Sequence, residues 1–215
     1  MLIADEDGYG LNNVASELQL KPESVERLSA LVETLDKWIK THNLIGPKER
    51  ARLWRRHILD SAQIWSHVDR GAPANWVDLG SGAGFPALVL AATDSMQAHK
   101  FTLVESNGKK CSYLRAAGRA ANLNIDVKNA RIEDVSRETY GYVTSRALAD
   151  LPRLLGHAYS LLAKKASCVF LKGKEIEAEI EASKAEWDFE YELYPSLSHP
   201  DGRIIVIRNL QRRTL

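Results

Sequence analysis

The most restrictive feature of the chain is a glycine-rich turn closing a short apolar run: Trp76-Val-Asp-Leu79 passes into Gly80-Ser-Gly-Ala-Gly84 and then Phe85-Pro86. Glycine permits positive φ and lets backbone approach a ligand closely, so a strand, turn and helix of this kind seat a nucleoside at the carboxyl end of a strand. Proline in the first turn of the following helix sacrifices no backbone hydrogen bond. The spacing is Gly-x-Gly-x-Gly with an acid, Asp78, two residues ahead. The Gly-x-Gly-x-x-Gly pattern that presents a pyrophosphate to a helix N-terminus is missing, which disfavours a nicotinamide dinucleotide. A simple tight turn is the competing reading of the same residues. Downstream, Phe101-Thr-Leu-Val104 leads to Glu105, where an acid at the end of the second strand hydrogen-bonds both ribose hydroxyls of an adenosine cofactor. Gly80, Gly82 and Glu105 together predict an adenosine cleft.

The surrounding text supports an α/β fold. Short apolar runs at Trp76–Leu79, Phe101–Val104, Ile125–Val127, Tyr142–Thr144 and Cys168–Leu171 alternate with helical segments near Pro86–Ala92, Gly108–Ala121, Leu151–Ala163 and Glu175–Ala185. That alternation reads as βαβ units around a parallel sheet. Phe189–Tyr194 and Arg203–Arg208 have strand character with no helix between them and should pair as an antiparallel hairpin. A mostly parallel sheet of seven strands ending in such a hairpin is the class I methyltransferase form of the Rossmann-like fold, whose adenosine cofactor is S-adenosylmethionine. Ahead of Gly71-Ala-Pro73, two helical patterns, Leu28–Leu44 and Lys48–Val68, are divided by Gly46-Pro47. The expected organisation is a helical extension over 1–72 packed on a methyltransferase domain over 73–215.

Ligands of open α/β sheets bind beyond the carboxyl ends of the strands, which brings in three further segments. Ala130-Arg-Ile132-Glu133-Asp134 follows the third strand, where a backbone amide and an acid bracket an adenine ring or else form a solvated loop. Arg146 ends the fourth strand; it either holds the cofactor's carboxylate or stacks on a base, or it pairs with Asp150. Lys172-Gly-Lys174 follows the fifth, as a phosphate or substrate contact or a solvated helix start. No amide-binding Pro-Pro-Tyr type tetrapeptide and no well-placed nucleophilic cysteine appears. A ring nitrogen with a free lone pair needs no general base, so orientation and electrostatics suffice to methylate it.

A net charge of +1 carries no global sign of a nucleic-acid binder, so such a role must rest on local patches. Lys48, Arg50, Arg52, Arg55 and Arg56 crowd one segment and Arg203, Arg208, Arg212 and Arg213 another. They suit phosphates or a solvated helix face. Trp54 and Trp65 either stack bases or pack the helices on the sheet. Cys111 and Cys168 are too few for a disulfide framework or zinc ligand set, which fits a reducing cytoplasm. No metal site, export signal or membrane anchor is expected. Flat charge and small size fit a monomer.

These residues resemble the RsmG (GidB) family of bacterial small-subunit rRNA methyltransferases. The resemblance runs through Trp38, Asn43-Leu44, Arg56-His57-Ile-Leu-Asp60-Ser61, Asp78-Leu-Gly-Ser-Gly-Ala-Gly-Phe-Pro86, Lys109-Lys110, Tyr113-Leu-Arg115, Arg131-Ile-Glu133, Ser145-Arg146-Ala147 and Leu171-Lys-Gly173. It implies methyl transfer from S-adenosylmethionine to N7 of one guanosine, position 527 in the 530 loop of 16S rRNA. It also implies cofactor contacts at Gly80, Phe85, Ile132, Glu133 and Arg146, with Glu105 on the ribose, and a substrate side holding Arg56, His57 and Asp60, beside Lys172. Arg146 would be the residue on which transfer depends most. Ala87 departs from the family, which often has glycine there. Three rival readings remain: a nicotinamide-dependent oxidoreductase, an RNA-binding module that has lost its cofactor, and an S-adenosylmethionine-dependent methyltransferase acting on another acceptor, a small molecule or a protein.

Overall fold

The computed structural model describes residues 2, 4–135 and 139–213; Met1 and Ile3 of the acidic N-terminal stretch, and Leu215 at the far end of the second segment, lie outside them. Strands β1 (Asn75–Leu79), β2 (Lys100–Glu105), β3 (Ile125–Asn129), β4 (Tyr140–Arg146), β5 (Leu162–Lys172), β6 (Trp187–Pro195) and β7 (Arg203–Arg212) form one seven-stranded sheet ordered β3-β2-β1-β4-β5-β7-β6. The first five are parallel, and β7 runs antiparallel to both β5 and β6. The chain therefore carries the class I methyltransferase topology that the sequence pattern predicts. Strand order reverses between β1 and β4, which opens the crevice where α/β sheets take ligands.

Helices α1 (Leu11–Glu17), α2 (Pro22–Trp38), α3 (Pro47–Arg50) and α4 (Asp60–Ala62) precede the sheet. Helix α2 begins at Pro22, six residues before the expected Leu28, because the proline suits a first helical turn while Glu23 favours the positive helix end. Its buried Leu28, Leu31, Val32 and Leu35 recur at helical spacing. Each such side chain contributes about 1.5–3 kcal/mol on burial. That stripe meets α5 (Ala87–Thr93) and α6 (Gly108–Ala120) in one core. Every residue of α5 is buried, as a helix held between sheet and α2 must be. Arg27 reaches from α2 to donate to the carbonyls of Ala92 (2.9 Å) and Asp94 (3.0 Å), satisfying the end of α5. On the opposite face, α7 (Leu151–Tyr159) and α8 (Ile176–Ser183) build a second core with Val77, Val143, Cys168 and Phe170.

The expected single helix over Lys48–Val68 is instead α3, a π-helical turn at Trp54–Leu59, α4 and a 3₁₀ turn at Gln63–His67. Most side chains from Leu53 to Trp65 are buried, with Arg55 exposed and Arg56 and Asp60 partly so. Asp5, itself buried, accepts the backbone N–H groups of Trp54 and Arg55, both at 2.9 Å, at the head of the π turn. The expected helix over Leu151–Ala163 stops at Tyr159, and β5 begins at Leu162, six residues earlier than the apolar run suggests. Among the described residues no helix is long and apolar enough to cross a membrane.

Candidate active site

All three turn glycines take positive φ, at 67°, 54° and 89° for Gly80, Gly82 and Gly84. A Cβ on Gly80 would lie 2.7 Å from Leu148 Cδ1, and one on Gly84 would strike the Leu88 side chain. The conformation favours glycine at all three positions, and at Gly84 the packing also leaves no room for a Cβ. The Gly82 N–H donates to Glu105 Oε2 (2.9 Å) and the Asn107 N–H to Oε1 (2.8 Å), so the turn and the end of β2 fix one carboxylate between them. These groups open on a cavity of about 380 Å³ lined by Gly80, Gly82, Glu105, Ile132, Glu133 and Leu148. Behind the turn, Asp78 is 2% exposed and accepts from Thr144 Oγ1 (2.8 Å), while its Oδ2 has no hydrogen-bond partner. Burial pushes its carboxyl up to about 7, against the lowering pull of the Ser81 and Thr144 hydroxyls.

A second cavity of about 500 Å³ adjoins the first, and Ala147 lines both. Its wall includes Glu49, Arg56, Asp60, Arg146 and Lys172. Arg146 gathers this side: it donates to the Arg56 carbonyl (3.0 Å) and to His57 Nδ1, and lies 3.8 Å from Asp60 Oδ2 and 5.6 Å over the Phe85 ring. A guanidinium only donates, so His57 Nδ1 accepts and the ring proton belongs on Nε2. That atom faces Glu49 Oε2 at 3.0 Å, although the approach is too oblique to count as a hydrogen bond. Burial first, then the Arg146 and Arg56 charges, hold the His57 pKa far below its ordinary value, so the ring is neutral. Asp60 Oδ1 accepts from Ser196 (2.7 Å), Ser198 (2.6 Å) and Gln63 (2.9 Å), binding the β6–β7 turn to the helical segment.

Among the residues expected to touch cofactor, Gly80, Gly82, Glu105, Ile132 and Glu133 converge on the first cavity. Phe85 and Arg146 do not line it; Phe85 faces His57, with ring centroids 4.8 Å apart, and Arg146 faces the second cavity. Asp150 does not pair with Arg146; it caps α7 instead, accepting from the Arg153 N–H (3.3 Å). On the expected substrate side, Arg56, Asp60 and Lys172 line the second cavity and His57 is buried beside it. Lys172 is already committed to Glu179 (2.5 Å) and the Ala149 carbonyl (2.9 Å), so it fastens β5 to α7 and α8. Trp54 and Trp65 are buried in the core and stack no bases. Of the basic clusters, Arg50 pairs with Asp36, Arg208 with Glu192 and Arg213 with Asp188. Sequence reasoning missed Glu49, Ser196, Ser198 and Thr144. Glu49 was visible only as an acid among bases, and the serines carry no local signal.

A family model described as rRNA small subunit methyltransferase G, GidB, matches residues 24–205. Curated relatives of that name are similar along nearly their whole length. The one from Hyphomonas neptunium is 44% identical over 89% of this chain and 90% of the relative. That from Paramagnetospirillum magneticum is 44% identical over 88% and 91%, and one from Cereibacter sphaeroides 40% identical over 92% and 97%. Solved structures share the fold at much lower identity. An S-adenosylmethionine-dependent methyltransferase from Aquifex aeolicus superposes with a TM-score of 0.57 at 12% identity, covering 76% of this chain and 93% of its own. M. jannaschii TYW2 in complex with AdoMet gives 0.54 at 16%, covering 81% and 80%.

Proposed function

Since the chain belongs to the GidB family of small-subunit rRNA methyltransferases, it methylates rRNA with S-adenosylmethionine, and we propose that its acceptor is N7 of one guanosine in the 530 loop of 16S rRNA. The observation that carries the reading is the pair of abutting cavities, one shaped for an adenosine and one lined by charged groups, meeting at Ala147.

The first cavity fits S-adenosylmethionine. Gly80 and Gly82, both at positive φ, line it, Glu105 offers remaining lone pairs to two ribose hydroxyls, and Ile132-Glu133 stands where the adenine edge would lie. The orphaned Asp78 Oδ2 is the kind of buried acceptor that the ammonium of an amino-acid tail would satisfy. When bound, S-adenosylmethionine would supply an electrophilic methyl for N7, the carbon–sulfur electron pair remaining with sulfur and the positive charge passing to the purine.

The residues of the second cavity orient the acceptor. N7 carries its lone pair in the plane of the ring and loses no proton on methylation, so nothing on this side has to act as a base. Neutral His57 is consistent with that, since it holds Arg146 and abstracts nothing. Arg146, anchored by one carbonyl, one imidazole and one carboxylate, keeps this wall rigid where the base must lie in line with the methyl. We assign the helical segment 1–72 to the same catalytic unit as 73–215, and take the protein to act as a cytoplasmic monomer.

Labelled S-adenosylmethionine and small subunits from a methyl-deficient strain provide the test. Label should map to N7 of that guanosine, and R146A should lower transfer by about 100-fold or more, while S-adenosylhomocysteine affinity stays within a few-fold. Label on a different base or on protein would refute the acceptor assignment and leave the cofactor assignment standing.

A further inference from the structure

Four carboxylates line the second cavity, and two of them, Asp60 and Glu179, are hydrogen-bonded to protein groups. Asp60 is held by Ser196, Ser198, Gln63 and Arg146. Glu179 takes the Lys172 ammonium and the Leu151 N–H (2.6 Å). Asp201 stands in solvent on the β6–β7 turn, its side chain 64% exposed beside His199. Glu49 differs: one oxygen, Oε2, rests against His57 Nε2, and Oε1 has no partner among the described residues. Arg56 likewise lines the cavity without an ion pair of its own among the described residues, whereas Arg146 and Lys172 are fully engaged. The wall thus presents Glu49, a carboxylate with no hydrogen bond among the described residues, and Arg56, a guanidinium with no ion pair among them.

Guanine is the base that such a wall complements. Its Watson–Crick edge carries two adjacent donors, N1–H and the N2 amine, which a carboxylate accepts together, and next to them the O6 acceptor, which suits a guanidinium. Adenine presents an acceptor at N1 and would set it against the carboxylate. Resting on the N7-guanosine reading, we propose that Glu49 receives the N1–H and N2–H edge of a guanine splayed into the second cavity, with Arg56 on O6, so that N7 on the opposite edge faces the methyl. A single base turned out of its stack into a pocket is how enzymes reach an in-ring atom.

Glu49 also contributes to rate. The charge that arrives on the purine makes N1–H and N2–H stronger donors, so the carboxylate holds the transition state more tightly than the substrate. His57 Nε2 lies 3.0 Å from Glu49 Oε2, and Arg146 donates to Nδ1 of the same ring. This single acid in a basic segment has a reason to be there.

The test compares small-subunit rRNA carrying guanosine at the acceptor position with the same RNA carrying inosine, which lacks the N2 amine. Wild-type protein should methylate inosine with kcat/KM lower by roughly 10- to 50-fold, because a half-exposed carboxylate loses a charged hydrogen bond. E49Q should methylate guanosine with kcat lowered by about 10-fold or more and little change in KM. Its preference for guanosine over inosine should collapse to within about 3-fold, and its S-adenosylhomocysteine affinity should match wild type, which shows the fold to be intact. Equal wild-type rates on guanosine and inosine would overturn the proposal. So would an E49Q variant that is slow on guanosine yet keeps the wild-type preference, since Glu49 would then only position other groups. Failure of the wild type to methylate guanosine at all removes the acceptor reading itself, and the role of Glu49 with it.

Discussion

At Asp78 the sequence spacing identifies an acid before the glycines, and the structure shows what it costs to keep one there. Desolvation raises its pKa to about 7 from the ordinary 3.8. The folded protein therefore binds this proton more tightly than the unfolded chain does. The group's stabilising contribution is complete below about pH 4 and is lost as the pH climbs toward 7. D78N keeps an acceptor for Thr144 while removing the buried charge, so it should raise the melting temperature at pH 8 by about 3 °C or more. The gain should vanish near pH 4; calorimetry at the two pH values decides. His57 runs the other way. Its depressed pKa favours the neutral ring, a contribution present above about pH 6.5 and lost on acidification.

Among the elements, those with local causes were legible in the chain. Strands β1, β2 and β5 announce themselves as apolar runs because their central residues are buried on both faces, and the β1–α5 turn because glycine best accepts its backbone. Helix α1 went unnoticed because Val14 is its only buried residue, too little to mark a periodicity. The π turn went unnoticed because Trp54, Ile58, Ser61 and Trp65 have α-helical spacing, and side-chain type does not distinguish an i→i+5 ladder from an i→i+4 one. Non-local contacts were beyond reach. Nothing near Asp60 tells that Ser196 and Ser198, 136 and 138 residues on, will bind it. This latch joins the β6–β7 turn to the helical segment at the rim of the second cavity. S196A/S198A leaves Asp60 Oδ1 with Gln63 alone and should lower unfolding stability by about 2 kcal/mol, with KM for rRNA raised and cofactor affinity unchanged. Urea unfolding and steady-state kinetics measure both.

For the whole molecule a net charge of +1 conceals an uneven distribution. On the terminal hairpin Arg208 and Arg213 are already neutralised by Glu192 and Asp188, while Lys48 and Arg52 on the helical segment are exposed and unpaired among the described residues. RNA phosphates should therefore meet Lys48 and Arg52 more readily than the paired Arg208 and Arg213. K48Q/R52Q should reduce the slope of log K against log salt for rRNA by about 1.5, whereas R208Q/R213Q should leave it nearly unchanged. Filter-binding titrations over a salt series distinguish the two faces. That face and the sheet share one apolar core, so whatever grips the RNA is rigidly coupled to the chemistry. Between the two cavities stands Ala147, a non-glycine residue at a φ of 52°. That backbone strains alanine and would strain a β-branched residue more, so the wall shared by the two cavities is kept to the smallest side chain the turn can carry.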